Sequence, residues 1–162
     1  MSAFEQAFAI VIGTEGGYVN NPLDPGGETK FGISKRSYPT LDIASLTLDA
    51  VRLIYQRDFW NRLRCGDLPS PLALLVFDAA VNCGQARAAR WLQAAVGTAQ
   101  DGMLGPLTLA AVQAASPGWK IMAEMDRLRL LHHTSLPTWR VFGGGWAARL
   151  TLLPYQAMGM TS

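Results

Sequence analysis

Three residues near the N-terminus have the side chains and the spacing for acid–base work on a sugar linkage: Glu15, Asp24 and Thr29, all within the stretch EGGYVNNPLDPGGETKFGIS. Glu15 ends an otherwise apolar run immediately before two glycines. At about 100° per residue it falls between Phe4 and Phe8 on the helical wheel, on the stripe of Val11, so a helix that buries those residues aims this carboxyl at apolar surroundings. The negative end of the helix dipole adds a penalty on ionisation of about 0.3–1 kcal/mol. Both effects favour the protonated form, which a general acid needs when it donates to the leaving oxygen of a glycosidic bond. Periodicity alone equally allows Glu15 to rotate clear of the stripe and pair with a surface cation. Asp24, in DPGG, is either a turn starter or the second carboxylate that an inverting hydrolase places across the scissile bond, and Thr29 offers a short hydroxyl to orient the attacking water. Gly26 and Gly27 would let the backbone approach a sugar ring closely.

The elements that must position these groups are mostly helical. Phe4, Phe8, Val11 and Ile12 predict a first helix over about 3–15, stopped by Gly16 and Gly17. From about 18 to 43 the pattern is irregular and rich in glycine and proline, with a short hairpin expected around Thr29 to Ile33. Thr47 reads as the N-cap of TLDAVRLIYQRDFWNRL, and Ser70-Pro71 opens PLALLVFDAAVNCG, apolar nearly all round and therefore the central buried helix. Further helical runs follow: ARAARWLQAAV ending at Gly97, PLTLAAVQAA after Gly105, a longer one through KIMAEMDRLRLLHH, and WAARLTLLPYQAM after glycines 143–145, which are expected to reverse the chain. The fold class is mainly α, with about seven helices. On the central helix Asp78 and Asn82 share a face; they are either a structural hydrogen-bonded pair or the lining of a wet cavity. Tyr18 and Phe31 offer rings for stacking on sugars, whereas Trp60, beside Phe59, is expected in the core.

Three stretches together, EGGYVNNPLDPGGETKFGIS, YQRDFWNRLRCGDLP and FDAAVNCG, resemble the N-acetylmuramidases of glycoside hydrolase family 108, many of them phage endolysins or prophage lysozymes; the likeness runs in order over about residues 10–115. The resemblance implies a lysozyme-like helical fold, cleavage of the β-1,4 bond between N-acetylmuramic acid and N-acetylglucosamine in peptidoglycan, Glu15 as catalytic acid, and a central helix that floors the sugar cleft with Asp78 and Asn82, where Asn82 would hold an N-acetyl group. In the more distant phage-type lysozymes glutamate, aspartate and threonine form a triad, but their aspartate-to-threonine interval is one residue longer than here, which leaves Glu28 as a competing second carboxyl. WLQAAVGTAQDGMLGPLTLAAV is similar to short peptidoglycan-binding helical modules, in which a DG turn joins two helices. Residues 1–84 are therefore expected to form a catalytic lobe and 85–162 a peptidoglycan-binding-like helical lobe, packed as one unit.

Composition bounds the alternatives. With 162 residues, 49% of them apolar, and a formal charge of +2, the chain has enough apolar material for one core and no clustered basic face for nucleic acid. No metal or other cofactor is expected: His132 and His133 are adjacent, so they point to different sides of a helix, and GGET lacks the spacing of a phosphate loop. A Cys–His peptidase would need Cys83 beside one of those histidines and a sheet to carry the histidine; Cys65 and Cys83 are expected as free thiols. The N-terminus shows no export signal, and Asp78 interrupts the most apolar stretch too early for a membrane span, so the expectation is synthesis in the cytoplasm and action on the wall after release, with a holin or similar pore as the implied partner. A monomer is expected. The rival readings are a non-catalytic wall-binding or secretion-associated protein, and a lytic transglycosylase.

Overall fold

A computed structural model describes residues 1–13, 17–20, 27–115 and 118–160. The first helix, α1 (Ala3–Gly13), buries Phe4, Ala7, Phe8 and Val11, the stripe read from the sequence. Ser2 caps it: its Oγ accepts from the amide of Glu5, one arm of a capping box whose Glu5 carboxylate turns instead to Arg52, 2.8 Å away. The proposed continuation to residue 15, its stop at Gly16, and Gly26 lie outside the described residues.

Strands β1 (Thr29–Lys30) and β2 (Ile33–Ser34) pair antiparallel with Lys30 opposite Ile33, leaving Phe31 and Gly32 as a two-residue turn. Both have positive φ, 49° and 77°, as a tight primed hairpin turn requires. For phenylalanine that conformation costs about 1–2 kcal/mol, and the ring is retained there half-buried, under the Lys30 ammonium and against the main core. Val19 bridges to Thr29 and makes a third short segment of the patch.

Helix α2 (Leu48–Tyr55) starts where Thr47 Oγ1 accepts from the amide of Ala50, and it runs on into a π-helical segment, Gln56–Asn61. The wider turn lets Phe59 stack on Tyr55 while Trp60 enters the core edge-on to Phe4 and Phe77, ring centres 5.5 Å apart in both pairs. After a 3-10 turn, Cys65–Asp67, comes α3 (Ser70–Cys83), in which every residue from Leu72 to Ala80 is buried. It is the axis of the molecule. Helix α1 and the π segment pack on one side; α4 (Gln85–Val96), α6 (Trp119–Thr134) and α7 (Trp139–Met158) pack on the others. Gly97, with φ 73°, ends α4 in the left-handed conformation, and α5 (Pro106–Ala114) begins at its proline. The described residues thus hold seven α-helices and one small hairpin, a mainly α, lysozyme-like architecture.

The glycine triplet departs from expectation. Glycines 143–145 do not reverse the chain but lie inside α7, which starts at Trp139. A Cβ on Gly143 would come within 2.6 Å of the Trp139 ring, so glycine here is what lets the indole lie flat on its own helix, one turn on. Trp139 and Phe142 then pack on Trp146, whose ring stacks on His133 at 4.7 Å. Contacts among these half-exposed rings oppose a helix-interior glycine cost of about 1 kcal/mol each.

The loop between α4 and α5 is organised by one buried amide. Gln93 Nε2 donates to Asp101 Oδ1 at 2.6 Å and to the Met103 carbonyl at 3.0 Å, and its Oε1 accepts from the amide of Gly102 at 2.9 Å. Asp101 Oδ1 also accepts from the amide of Met103, and Gly102 has φ 83°, so the DG pair forms the tight turn its sequence suggests.

Candidate functional site

Two of the three residues with the chemistry of a glycosidase, Glu15 and Asp24, lie outside the described residues. The third, Thr29, opens β1, and its Oγ1 donates to the Gly27 carbonyl at 3.2 Å, so the hydroxyl's lone pairs are left to accept from a water or a sugar hydroxyl. Gly27, at φ 67°, shapes the approach to this strand. Next to Thr29, Glu28 Oε1 accepts a 2.8 Å hydrogen bond from the Tyr18 hydroxyl, and that bond to the carboxylate is the first cause of a phenol pKa raised above its ordinary value. Tyr18 is 47% exposed, with its ring available at the surface. The Val19–Thr29 bridge and the hairpin turn therefore bring Tyr18, Glu28, Thr29 and Phe31 onto one small patch.

Asp78 and Asn82 form a second group. Asn82 Nδ2 donates to the Asp78 carbonyl at 2.8 Å and lies 3.4 Å from Asp78 Oδ1, which leaves the exposed side-chain oxygen of Asn82 facing outward as an acceptor. Asp78 itself has no solvent exposure. Its Oδ2 takes Arg129 of α6 at 2.6 Å and its Oδ1 takes Arg149 of α7, so a single carboxylate ties the central helix to two helices of the second half. Both oxygens are thereby committed to guanidinium groups.

Tyr55 lies between the supports of the two groups. Its hydroxyl donates to the Phe31 carbonyl at 3.0 Å, holding the strained turn from behind, and its ring packs edge-on to Phe77, the neighbour of Asp78 on α3.

Arg129 and Arg149 went unnoticed in the sequence, although Arg129 carries a signal. Ile121, Met125, Arg129 and His133 recur every fourth residue and are all buried, so an arginine stands in an otherwise inward stripe and must meet an anion there.

Cys83 does face an imidazole, its Sγ 3.9 Å from His133 Nε2. The pair is not built as a nucleophile. Burial pushes the Cys83 thiol up, and burial, reinforced by the Arg129 charge, holds His133 down to about 4, so both groups are neutral near pH 7. Cys83 also ends α3, where the helix dipole opposes a thiolate. Cys65 is buried and free, its thiol pushed up by burial.

The family model described as Glycosyl hydrolase 108 matches residues 8–84. The solved structure titled "Structure of Brucella abortus SagA" is 34% identical, with a TM-score of 0.86, covering 96% of this chain and 93% of that one. The chain belongs to glycosyl hydrolase family 108. It is a glycoside hydrolase, and no curated protein sequence gives a significant match to it. The family 108 segment contains Glu15, Asp24, Thr29, Asp78 and Asn82 and ends at Gly84, just where α4 begins. The likeness to SagA continues through the second half, whose arginines complete the Asp78 cluster.

Proposed function

We propose that this family 108 hydrolase is an N-acetylmuramidase that cleaves the β-1,4 bond between N-acetylmuramic acid and N-acetylglucosamine in peptidoglycan. The reading is carried by one observation: the family segment, residues 8–84, spans the EGGY stretch with Glu15 together with Asp24 and Thr29. In this mechanism Glu15 protonates the leaving oxygen, Asp24 assists the attacking water or stabilises the developing cation, and Thr29 accepts a hydrogen bond from that water. The outward oxygen of Asn82 suits the N–H of an acetamido group, and Tyr18 and Phe31 supply rings beside the hydroxyl. Asp78 is assigned to bracing instead of to substrate binding or to the second catalytic role, since both its oxygens serve arginines. Glu28, bound by Tyr18, is the remaining competitor of Asp24.

The second half contributes a further contact with the insoluble polymer, which raises the local concentration of substrate. A membrane pore of the holin kind is the partner proposed to admit the enzyme to the wall. Among the described residues no helix is long and apolar enough to cross a membrane. The enzyme acts as a monomer on single glycan strands.

Digestion of purified sacculi followed by mass spectrometry of the released fragments tests the reaction. Reducing muramic ends support hydrolysis, anhydro ends reassign the chain to the lytic transglycosylases, and absence of release leaves a binding protein. Glu15→Gln is expected to lower turnover by about 10²–10⁴-fold with sacculus binding retained; a variant keeping most of its lytic activity removes Glu15 from the acid's role.

A further inference from the structure

Behind the hairpin, two hollows share Arg62, Gln85 and Ala86 and so form one trough. The first, about 440 Å³, lies between the hairpin residues Gly32 and Ile33, Tyr38, and the end of α3 at Val81 and Gly84. The second, about 420 Å³, passes Leu63 and Arg64 and reaches the turn at Gly102 to Gly105. The trough thus runs from the hairpin of the first half to the DG turn of the second. Its floor is apolar, with Ile33, Leu63 and Leu104 buried and Phe59 half-buried. Its charges are of one sign: the ionisable side chains of acidic type are absent from its lining among the described residues, while Arg62 and Arg64 stand along it. Arg64 already holds Asp67 at 2.8 Å. Arg62 is exposed at the junction of the two hollows; it makes no direct hydrogen bond or ion pair among the described residues, and its charge is among those that hold the Asp58 carboxyl below its ordinary value.

A neutral glycan does not call for such a lining. In peptidoglycan the acetamido sugars carry no charge once the lactyl group is amide-linked, and the carboxylates sit on the peptides that branch from the muramic acid. An apolar floor with backbone turns at both ends and an exposed cation midway that makes no direct ion pair fits an extended, carboxylate-bearing peptide better than a sugar ring. Resting on the muramidase reading, we propose that this trough binds the stem peptide of the glycan strand, with Arg62 pairing a peptide carboxylate and Gln85 offering its amide to the peptide backbone. The two halves then hold one substrate at two places, the strand at the hairpin patch and its branch along the trough.

The test measures binding of the full chain, carrying Glu15→Gln so that substrate is not consumed, to soluble glycan strands with intact peptides and to the same strands stripped of peptides by an amidase, with the lactyl carboxylates thereby exposed capped as simple amides. An exposed ion pair of this kind corresponds to about a two- to fivefold preference for the intact strands. That preference is expected to shrink as salt rises, to vanish in Arg62→Gln and to persist in part in Arg62→Lys, while affinity for stripped strands stays the same in all three. Equal affinity of the parent for both strands, or a preference surviving Arg62→Gln, overturns the proposal. Sensitivity to Arg62 seen only with a phosphate-bearing wall polymer also overturns it and reassigns the trough to that polymer. Failure of the muramidase reading itself shows separately, as stripped strands left uncut by the chain with Glu15 restored.

Discussion

At Asp78 three helices meet on one buried carboxylate, and the energetics of that meeting are asymmetric. Replacing the whole ionic cluster by apolar side chains of matched shape can be nearly neutral, but removing only the anion takes from the buried Arg129, and from Arg149, the carboxylate that each of them bonds on α3. Asp78→Ala is therefore expected to lose about 3–5 kcal/mol of stability in urea denaturation. Two neighbours of the cluster titrate in opposite senses. Burial raises Asp126 to about 6 from 3.8, so between those values the folded chain holds more protons than the unfolded one and this group's contribution to stability falls as pH rises. His133, held down to about 4 from 6.5, is protonated first in the unfolded chain, and its contribution falls as pH drops through the same region. The two nearly cancel between pH 4 and 6. In Asp126→Asn only the histidine remains, and the melting temperature is expected to climb with pH across this window more steeply than in the parent. The need for partners around Asp78 was legible in the sequence, because an acid on an all-apolar helix must be satisfied. Their identity was not, since Arg129 and Arg149 lie 51 and 71 residues away. Nor was the Cys83–His133 contact, which likewise joins distant helices.

Among the elements, α7 gives the sharpest test of packing against propensity. A methyl on Gly143 meets the Trp139 ring at 2.6 Å, whereas one on Gly144 meets nothing within 4 Å. Gly143→Ala is expected to destabilise by about 1–3 kcal/mol through overpacking, and Gly144→Ala to stabilise by about 0.5–1 kcal/mol by restricting the unfolded chain. Thermal melts of the pair decide it; equal signs would mean that the indole does not rest on its own helix. Helix starts and stops were readable wherever a local device marks them: Thr47, Pro71, Gly97 and Pro106 all stand at or within the first or last turn of the elements they announced. The short hairpin was readable too. The π segment was not, because one extra residue per turn leaves the apolar spacing of Tyr55, Phe59 and Trp60 indistinguishable from a continuing α-helix until the partners are known. The glycine triplet misled for the opposite reason: its local preference for a turn is overridden by ring contacts along the helix.

For the molecule as a whole, the family segment 8–84 and the packing unit do not coincide. Helix α3 has α4, α6 and α7 around it, and Asp78 finds both its cations beyond Gly84. A fragment of residues 1–84 is expected to lack a cooperative unfolding transition in calorimetry, while the whole chain shows one; a cooperative melt of the fragment would make the first half a free-standing domain. The loop around Gln93 has a different character. Its amide, Asp101, Met103, Gly102 and Thr108 satisfy one another within a stretch of sixteen positions, and the side chains of Met103 and Leu107 point away into solvent, 73% and 83% exposed. Such a knot carries its own support. Substitution at its outer letters therefore alters what the second half touches without disturbing the helices beneath, to which the loop is anchored by the buried Leu104.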